Sequence, residues 1–266
     1  MTTIKPFVKW AGGKRWLTTA PMLKIPHYTG RYIEPFIGGG AMFFHLNPQK
    51  SIISDLNADL INCYIQVRDE HEKIVTFLKQ YQAHHSKEFY YQERSRSYDC
   101  AIQQAAQLLY LNRTCWNGLY RVNLRGQFNV PIGTKDKIFD SSENWQAISL
   151  ALKNTKIECS DFEKTINQSK KGDFLFVDPP YTTMHNNNGF IKYNQNIFSW
   201  EDQIRLKDAL FRAKIRGVKA IVTNADHQSI IDLYMDFGKY HRVERPSVIS
   251  GKSTGRRTTT EALIYL

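Results

Sequence analysis

Four consecutive residues, Asp178-Pro179-Pro180-Tyr181, put a carboxylate, two peptide units without an N–H and an aromatic ring into one short stretch. The prolines fix φ and remove two backbone donors, so the stretch is stiff and presents bare carbonyls. That combination suits a planar base bearing an exocyclic amine. The carboxylate and one carbonyl accept the amine's two protons while Tyr181 stacks, so the ring of Tyr181 is expected to matter more than its hydroxyl. A strand-to-loop turn with a capping Asp178 explains the same residues equally well, and the motif alone does not choose between the two.

A second constellation lies nearer the N-terminus. Ile37-Gly38-Gly39-Gly40-Ala41 follows Tyr32-Ile33-Glu34-Pro35-Phe36 and precedes an apolar stretch. Glycines between a strand and a helix let the backbone approach a ligand closely. Asp55 ends the next apolar run, and an acid there is the usual partner of ribose hydroxyls. A nicotinamide dehydrogenase shares these features, but its G-x-G-x-x-G fingerprint needs glycine where Phe43 stands. The mismatch points to a nucleoside cofactor without pyrophosphate. Upstream, Phe7-Val8-Lys9-Trp10-Ala11-Gly12-Gly13-Lys14 offers a stacking face in Trp10 and an ammonium in Lys14. By composition alone it reads first as an ordinary loop anchored by a core tryptophan.

The chain has 266 residues and a net charge of +11, a balance that points to a polyanionic partner. Between positions 112 and 137 five Lys or Arg face one acid, and between 239 and 257 six face one. No basic amphipathic helix or lipidation signal accompanies these patches, which favours nucleic acid over an acidic membrane. The first patch mixes planar hydrogen bonders, aromatics and turn formers from Asn112 to Pro131, and Leu124-Arg125-Gly126-Gln127 is placed to tip a hairpin. Arginine pairs bidentately with guanine in the major groove, while asparagines and hairpin backbone position phosphates.

These groups need a scaffold, and the hydrophobic pattern supplies one. Apolar runs near 32–36, 51–54, 156–159, 173–177 and 218–223 alternate with helical segments, as a parallel sheet with crossover helices requires. Ligands of such sheets bind at the carboxyl edge, where Asp55 and Asp178 stand. Residues 240–248 and 261–266 are expected to pair as a hairpin around the Gly251 to Arg257 loop. Apolar residues at 60, 61, 64, 67, 74, 75 and 78 follow a helical period from Asp59 to about Gln82. That helix opens an insertion of roughly ninety residues between the second and third strands, too long for a loop. Asn186-Asn187-Asn188-Gly189 reads as a flexible loop, either one that closes over a bound ligand or surface disorder without purpose.

In order along the chain, VKWAGGK, EPFIGGG, SDLNADLI, LNRTCWNGLYRVNLRGQFNVP and DPPY resemble, as a set, the Dam-type (D12 class) DNA-adenine N6-methyltransferases, from Phe7 to Leu263. The resemblance implies an α/β fold: a Rossmann-like S-adenosylmethionine-dependent methyltransferase sheet with an inserted, mainly helical target-recognition domain carrying a β-hairpin. Residues 1–58 and 149–266 would form the catalytic domain and 59–148 the recognition domain. It further implies that Trp10 and Lys14 contact the methionine moiety of S-adenosylmethionine, and that the loop of Phe36, Gly38 and Gly40 passes under the cofactor. Asp55 would bind its ribose, Asp161 and Phe162 would flank its adenine, and Asp178 would lie where cofactor and target base meet. Asp178, Pro179, Pro180 and Tyr181 would act on the N6 amine of an adenine flipped out of double-stranded DNA, within GATC in the family's common pattern. Arg121 would read a guanine, and Lys9, Arg113, Trp116, Asn117, Asn123, Arg125 and Pro131 would face DNA. Thr134 departs from the arginine that many relatives carry after Gly133.

Two other readings compete: an RNA adenine or guanine methyltransferase on the same sheet, and a non-catalytic DNA-binding protein with a decayed methylase core. The Asn112 to Pro131 run argues against the first, and intact Asp178-Pro179-Pro180-Tyr181, Asp55 and Lys14 against the second. Cys63, Cys100, Cys115 and Cys159 form no C-x-x-C pair and have no His at zinc spacing, so no metal is expected and all four are read as reduced core thiols. No apolar run approaches about 18 residues, so a soluble, cytoplasmic, DNA-associated protein without an obligate protein partner is expected.

Overall fold

The computed structural model describes residues 4–123, 125–183, 198–246 and 258–266. The Asn186 to Gly189 and Gly251 to Arg257 loops lie outside the described residues. Seven strands form one mixed sheet: β1 (Tyr32–Glu34), β2 (Ser51–Asp55), β3 (Thr155–Cys159), β4 (Phe174–Val177), β5 (Lys219–Ala225), β6 (Lys239–Pro246) and β7 (Thr258–Tyr265). Their order is β3-β2-β1-β4-β5-β7-β6. β1 pairs in parallel with β2 and β4, and β4 with β5, while β7 runs antiparallel to both β5 and β6. The five expected runs all appear as strands, within a few residues at their ends, and the expected hairpin is β6–β7. Pro35 stops β1 early because it has no N–H for the ladder.

By compactness the chain divides into two units, Met1–Arg15, Ile37–Gln49 and Asp55–Cys159 in the first and Trp16–Phe36, Lys50–Ser54 and Ser160–Leu266 in the second. The first unit is larger than the stretch 59–148 expected for an insertion, for a physical reason. Main-chain N–H and C=O of Lys9 are both bound by the Asn112 amide, at 2.9 and 2.8 Å. Arg68 on α2 donates to the Thr155 carbonyl at 3.3 Å, and the Ser149 hydroxyl donates to the Arg68 carbonyl at 2.6 Å. These bonds tie the N-terminal segment and β3 to the helices. Those helices are α2 (Ala58–His84), α3 (Lys87–Ser95), α4 (Ala101–Thr114) and α5 (Trp145–Leu152), with the short α1 (Ala41–Leu46) before them. Asn57 caps α2 by accepting the Leu60 N–H at 2.8 Å. The helix buries Leu60, Ile61, Tyr64, Val67, Ile74 and Leu78, so the apolar stripe read from sequence is its buried face, with Val75 at the margin. Phe7 closes this core edge-on against Tyr64, with ring centres 4.9 Å apart.

In the second unit α6 (Phe162–Asn167), α7 (Trp200–Ile215) and α8 (Gln228–Tyr234) pack on the sheet face that carries Leu175, Val177, Ala220, Val222, Ala262 and Ile264. Side chains alternate along strands. Phe176, Thr223 and Glu261 therefore point to the opposite face. Ser199 and Asp202 form a reciprocal capping box at the start of α7.

Asp173, just before β4, holds β1 in register. It accepts the Arg31 N–H at 2.7 Å and the Arg31 guanidinium at 2.6 Å. Burial pushes this carboxyl up, but the bonds from Arg31 outweigh burial and hold it below its ordinary value. A carboxyl lowered by folding stabilises only when ionised, so its contribution is present above the unfolded value and lost as pH falls. Asp173→Asn is expected to be less stable than the parent at neutral pH, with the gap closing below about pH 4. Denaturant titrations across that range check the convergence.

Candidate active site

In the first unit the Asp55 carboxylate lies against the glycine loop expected at a cofactor. It accepts the Asn57 N–H at 3.0 Å and the Gly38 N–H at 3.2 Å. Burial raises the Asp55 carboxyl above its ordinary value, and these main-chain donors pull the other way. Gly38 has φ +44, and a Cβ there would lie 3.0 Å from the Trp10 ring. Gly40 has φ +67, and a Cβ there would stand 2.6 Å from the Tyr64 hydroxyl, which itself donates to the Gly38 carbonyl at 3.0 Å. Trp10 stacks on Tyr120 at 4.9 Å, so one face of the indole is already covered. Lys14 is buried and donates to the Gly12 carbonyl at 2.8 Å.

The same unit carries every residue expected to face DNA. Val122 and Phe128 form an antiparallel bridge, and Asn129 N–H donates to the Arg121 carbonyl at 3.1 Å, which is the expected hairpin. Asn123 shapes its turn by accepting from the N–H groups of Arg125 and Gln127 at 2.9 and 3.0 Å. The Arg121 Nε donates to the Asn129 side chain at 2.8 Å, and Arg125 is exposed. Trp116 is 53% exposed, Asn117 is exposed with φ +57, and exposed Pro131 accepts the Trp116 N–H at 2.9 Å. Lys9, Trp10, Asn117, Leu119 and Lys135 line a cleft of about 540 Å³. Hydrogen-bond proximity of Lys135, then burial, lowers the Lys9 ammonium to about 8. Arg113 differs from the others. Its fork grips Glu143 at 2.9 and 3.0 Å and donates to the Ile138 and Phe7 carbonyls, so both terminal nitrogens are engaged within the unit.

In the second unit Asp178 leaves the end of β4 and accepts the Thr223 hydroxyl at 2.6 Å. Pro179 is buried and Pro180 half-buried. The Tyr181 hydroxyl donates to Glu261 at 2.7 Å, and Glu261 is ion-paired with Arg245 at 2.8 Å. Burial, with the negative charges of Asp178 and Glu261, pushes the Tyr181 phenol well above its ordinary value, so it stays protonated and donates. The stretch that follows is anchored where Thr182 donates to the Phe198 carbonyl at 2.6 Å.

Asp161 caps α6, accepting the Glu163 N–H at 2.9 Å, and is gripped by Arg205 at 2.8 Å to each oxygen. The Phe162 ring is core, stacked with Phe36 at 5.4 Å and under the Arg205 guanidinium at 4.6 Å. What Phe162 offers a ligand is its main-chain N–H, which has no intrahelical acceptor at the first helical position.

Thr223, Glu261, Arg245 and Arg205 were not singled out from sequence. A lone acid inside the β-prone Thr258–Tyr265 run was the available signal for Glu261. Cys63 and Cys115 are buried as expected, but Cys100 and Cys159 are exposed, one before α4 and one ending β3. Among the described residues no group of three or more His, Cys, Asp or Glu is placed to hold a metal ion, and no helix is long and apolar enough to cross a membrane.

The family model of D12 class N6 adenine-specific DNA methyltransferases matches residues 10–248. The chain belongs to that family. The methyltransferase is 39% identical to the Type II methyltransferase M1.LlaDCHI of Lactococcus lactis subsp. cremoris over 98% of this chain and 95% of that one. It is 38% identical to the Type II methyltransferase M.MjaIII of Methanocaldococcus jannaschii over 84% of each. Against the DNA adenine methylase of Serratia marcescens identity is 31% over 97% of each.

Two glycines of the methyltransferase separate strain from collision. Gly12 and Gly40 both have positive φ, but a Cβ at Gly12 meets nothing within 4 Å. Gly12→Ala is expected to lose about 1–2 kcal/mol from the left-handed backbone alone. Gly40→Ala loses more, through the Tyr64 hydroxyl, and chemical denaturation of the two variants reads the difference.

Proposed function

We propose that this adenine-specific DNA methyltransferase binds S-adenosylmethionine and acts on an adenine flipped out of duplex DNA, within GATC. The observation that carries the reading is the Asp178 carboxylate, fixed by Thr223 at the end of β4 and followed by two peptide units that have no donors. The site residues fit the cofactor. A buried carboxylate with a raised pKa, as at Asp55, gains most from the two hydroxyls of a ribose, because their donation replaces lost solvation. Gly38 and Gly40 keep side chains out of the path of a close ligand. Lys14 would face the cofactor's carboxylate and Trp10 its methionine chain, while Asp161 and the Phe162 N–H would take the adenine. S-adenosylmethionine, when bound, supplies an electrophilic methyl group on a sulfonium leaving group.

The rest is done by the chain. An adenine in a duplex hides its amine, so extrusion is required, at a few kcal/mol of lost pairing and stacking. Tyr181 offers the extruded ring a stacking face, worth about 1–3 kcal/mol. The Asp178 carboxylate and the Pro179 carbonyl accept the two amine protons, which draws the nitrogen out of conjugation and frees its lone pair. Positioning supplies much of the rate.

On DNA, the Arg121 guanidinium is held on one side by Asn129, and its terminal amino groups have no partner among the described residues. That leaves the pair of donors that guanine O6 and N7 require.

Asp178→Ala is expected to abolish methylation of duplex DNA while leaving a folded, DNA-binding protein. A single-turnover rate within about tenfold of the parent removes Asp178 from the chemistry. Arg121→Ala is expected to lose about 1–3 kcal/mol at one base pair and to relax specificity there. A uniform loss on all sequences, with the salt slope reduced by about one, assigns Arg121 to a phosphate instead. Sequencing of modified bases in treated DNA, with duplex RNA as control, tests adenine, DNA and GATC together.

A further inference from the structure

Tyr181 was expected to act through its ring, yet its hydroxyl is the anchored part. Prolines at 179 and 180 deny the loop two main-chain donors, so its aromatic end cannot be sewn to a neighbouring strand by backbone alone. The Tyr181 hydroxyl instead reaches Glu261 on β7 at 2.7 Å. Glu261 is 6% exposed, a position in which an unpaired carboxylate is strongly disfavoured. Its second oxygen takes Arg245 of β6 at 2.8 Å. The ladder explains why these two meet. Glu261 is directly opposite Val243, and Arg245 opposite Thr259, so Arg245 and Glu261 are diagonal neighbours on one face of an antiparallel pair. On its other side Glu261 pairs with Ala225 of β5, two residues beyond Thr223, whose hydroxyl holds Asp178. One sheet face therefore carries anchors for both chemical ends of the Asp178 to Tyr181 stretch.

We propose that Glu261, held by Arg245, is a positioning residue for methyl transfer: it fixes the plane of the Tyr181 ring against which the target base stacks. This rests on the reading of Tyr181 as the stacking face. Glu261 touches neither base nor cofactor in this role. Thr223 also bonds the Tyr181 phenol, so loss of Glu261 loosens the ring rather than freeing it. A loosened ring samples poses in which the amine is misaligned, and misalignment lowers the rate of the chemical step. The phenol is suited to the task because its burial and the two nearby carboxylates keep it protonated.

The test is a double-mutant cycle on single-turnover methylation of adenine-containing duplex DNA, with a separate binding duplex that carries 2-aminopurine at the target position as a reporter of the extruded base. Glu261→Ala and Tyr181→Phe are each expected to slow transfer about tenfold, equivalent to about 1.4 kcal/mol. The double variant should be no slower than the worse single one, because both remove the same bond. Cofactor affinity should stay at the parent value, and the 2-aminopurine lifetime should change alike in the two single variants. Glu261→Gln keeps an acceptor oxygen and should recover most of the loss. Multiplicative losses in the double variant, or a parent-like rate in Tyr181→Phe, overturn the proposal. If Glu261→Ala does not fold, a parent-like rate in Tyr181→Phe still overturns the proposal. A parent protein that leaves adenine in duplex DNA unmodified would instead refute the functional reading itself, which keeps the two failures distinct.

Discussion

Proline at 179 and 180 removes the main-chain donors that would ordinarily stitch a loop to its surroundings, so the stretch after β4 must be held by side chains. Two of them hold it. Asp178 takes the Thr223 hydroxyl, and Tyr181 gives its own to Glu261. A carboxylate that accepts from a fixed hydroxyl stays oriented, which is what an acceptor for an amine needs. The bare carbonyls that result from the missing donors are a second consequence of the same chemistry. Stiffness, exposed acceptors and dependence on outside anchors come as one package from two residues.

The anchors work only because the pairing register is right. β5 and β7 pair with Thr223 opposite Leu263 and Ala225 opposite Glu261. Side chains alternate, so sliding β7 by one residue would send Glu261 to the face built from Val222, Ala262 and Ile264. That face is packed with apolar helices, and a carboxylate there would have no partner. The apolar pattern of β7 thus excludes the wrong register, and the polar bonds on the other face reward the right one. In the first unit the equivalent constraint is steric. Gly38 and Gly40 adopt positive φ beneath Trp10 and Tyr64, so the loop that approaches Asp55 can do so only without side chains.

Much of this was legible along the chain. The apolar runs at 32–36, 51–54, 156–159, 173–177 and 218–223 became strands because each is short, β-prone and bounded by polar or turn residues. The helix expected from Asp59 to Gln82 became Ala58–His84, since its stripe buries on one side throughout. Bonds between distant segments were not legible. Neither Glu261 nor Arg245 has a motif, and their meeting depends on the β6–β7 ladder. Arg113 sits in a basic run and looks like its neighbours, but Glu143, thirty positions on, takes up its fork. Local spacing cannot reveal such a partner. The reciprocal amide bonds that join Lys9 and Asn112 across a long separation were hidden for the same reason.

The place of β1 in the sheet bears on how the chain folds as it is made. Tyr32 pairs with Ser51 on one side and with Phe174 on the other. The first partner follows within a few turns of chain, but the second is synthesised only after the whole helical segment between β2 and β3. Until then β1 offers an open ladder edge, the kind of edge that recruits unwanted strands. Its three residues, ended by Pro35, make that edge too short to template a stable mispairing. Parallel pairings of such large sequence separation are slow to form, so the brevity of β1 protects the nascent sheet during the interval when this inner strand is half partnered.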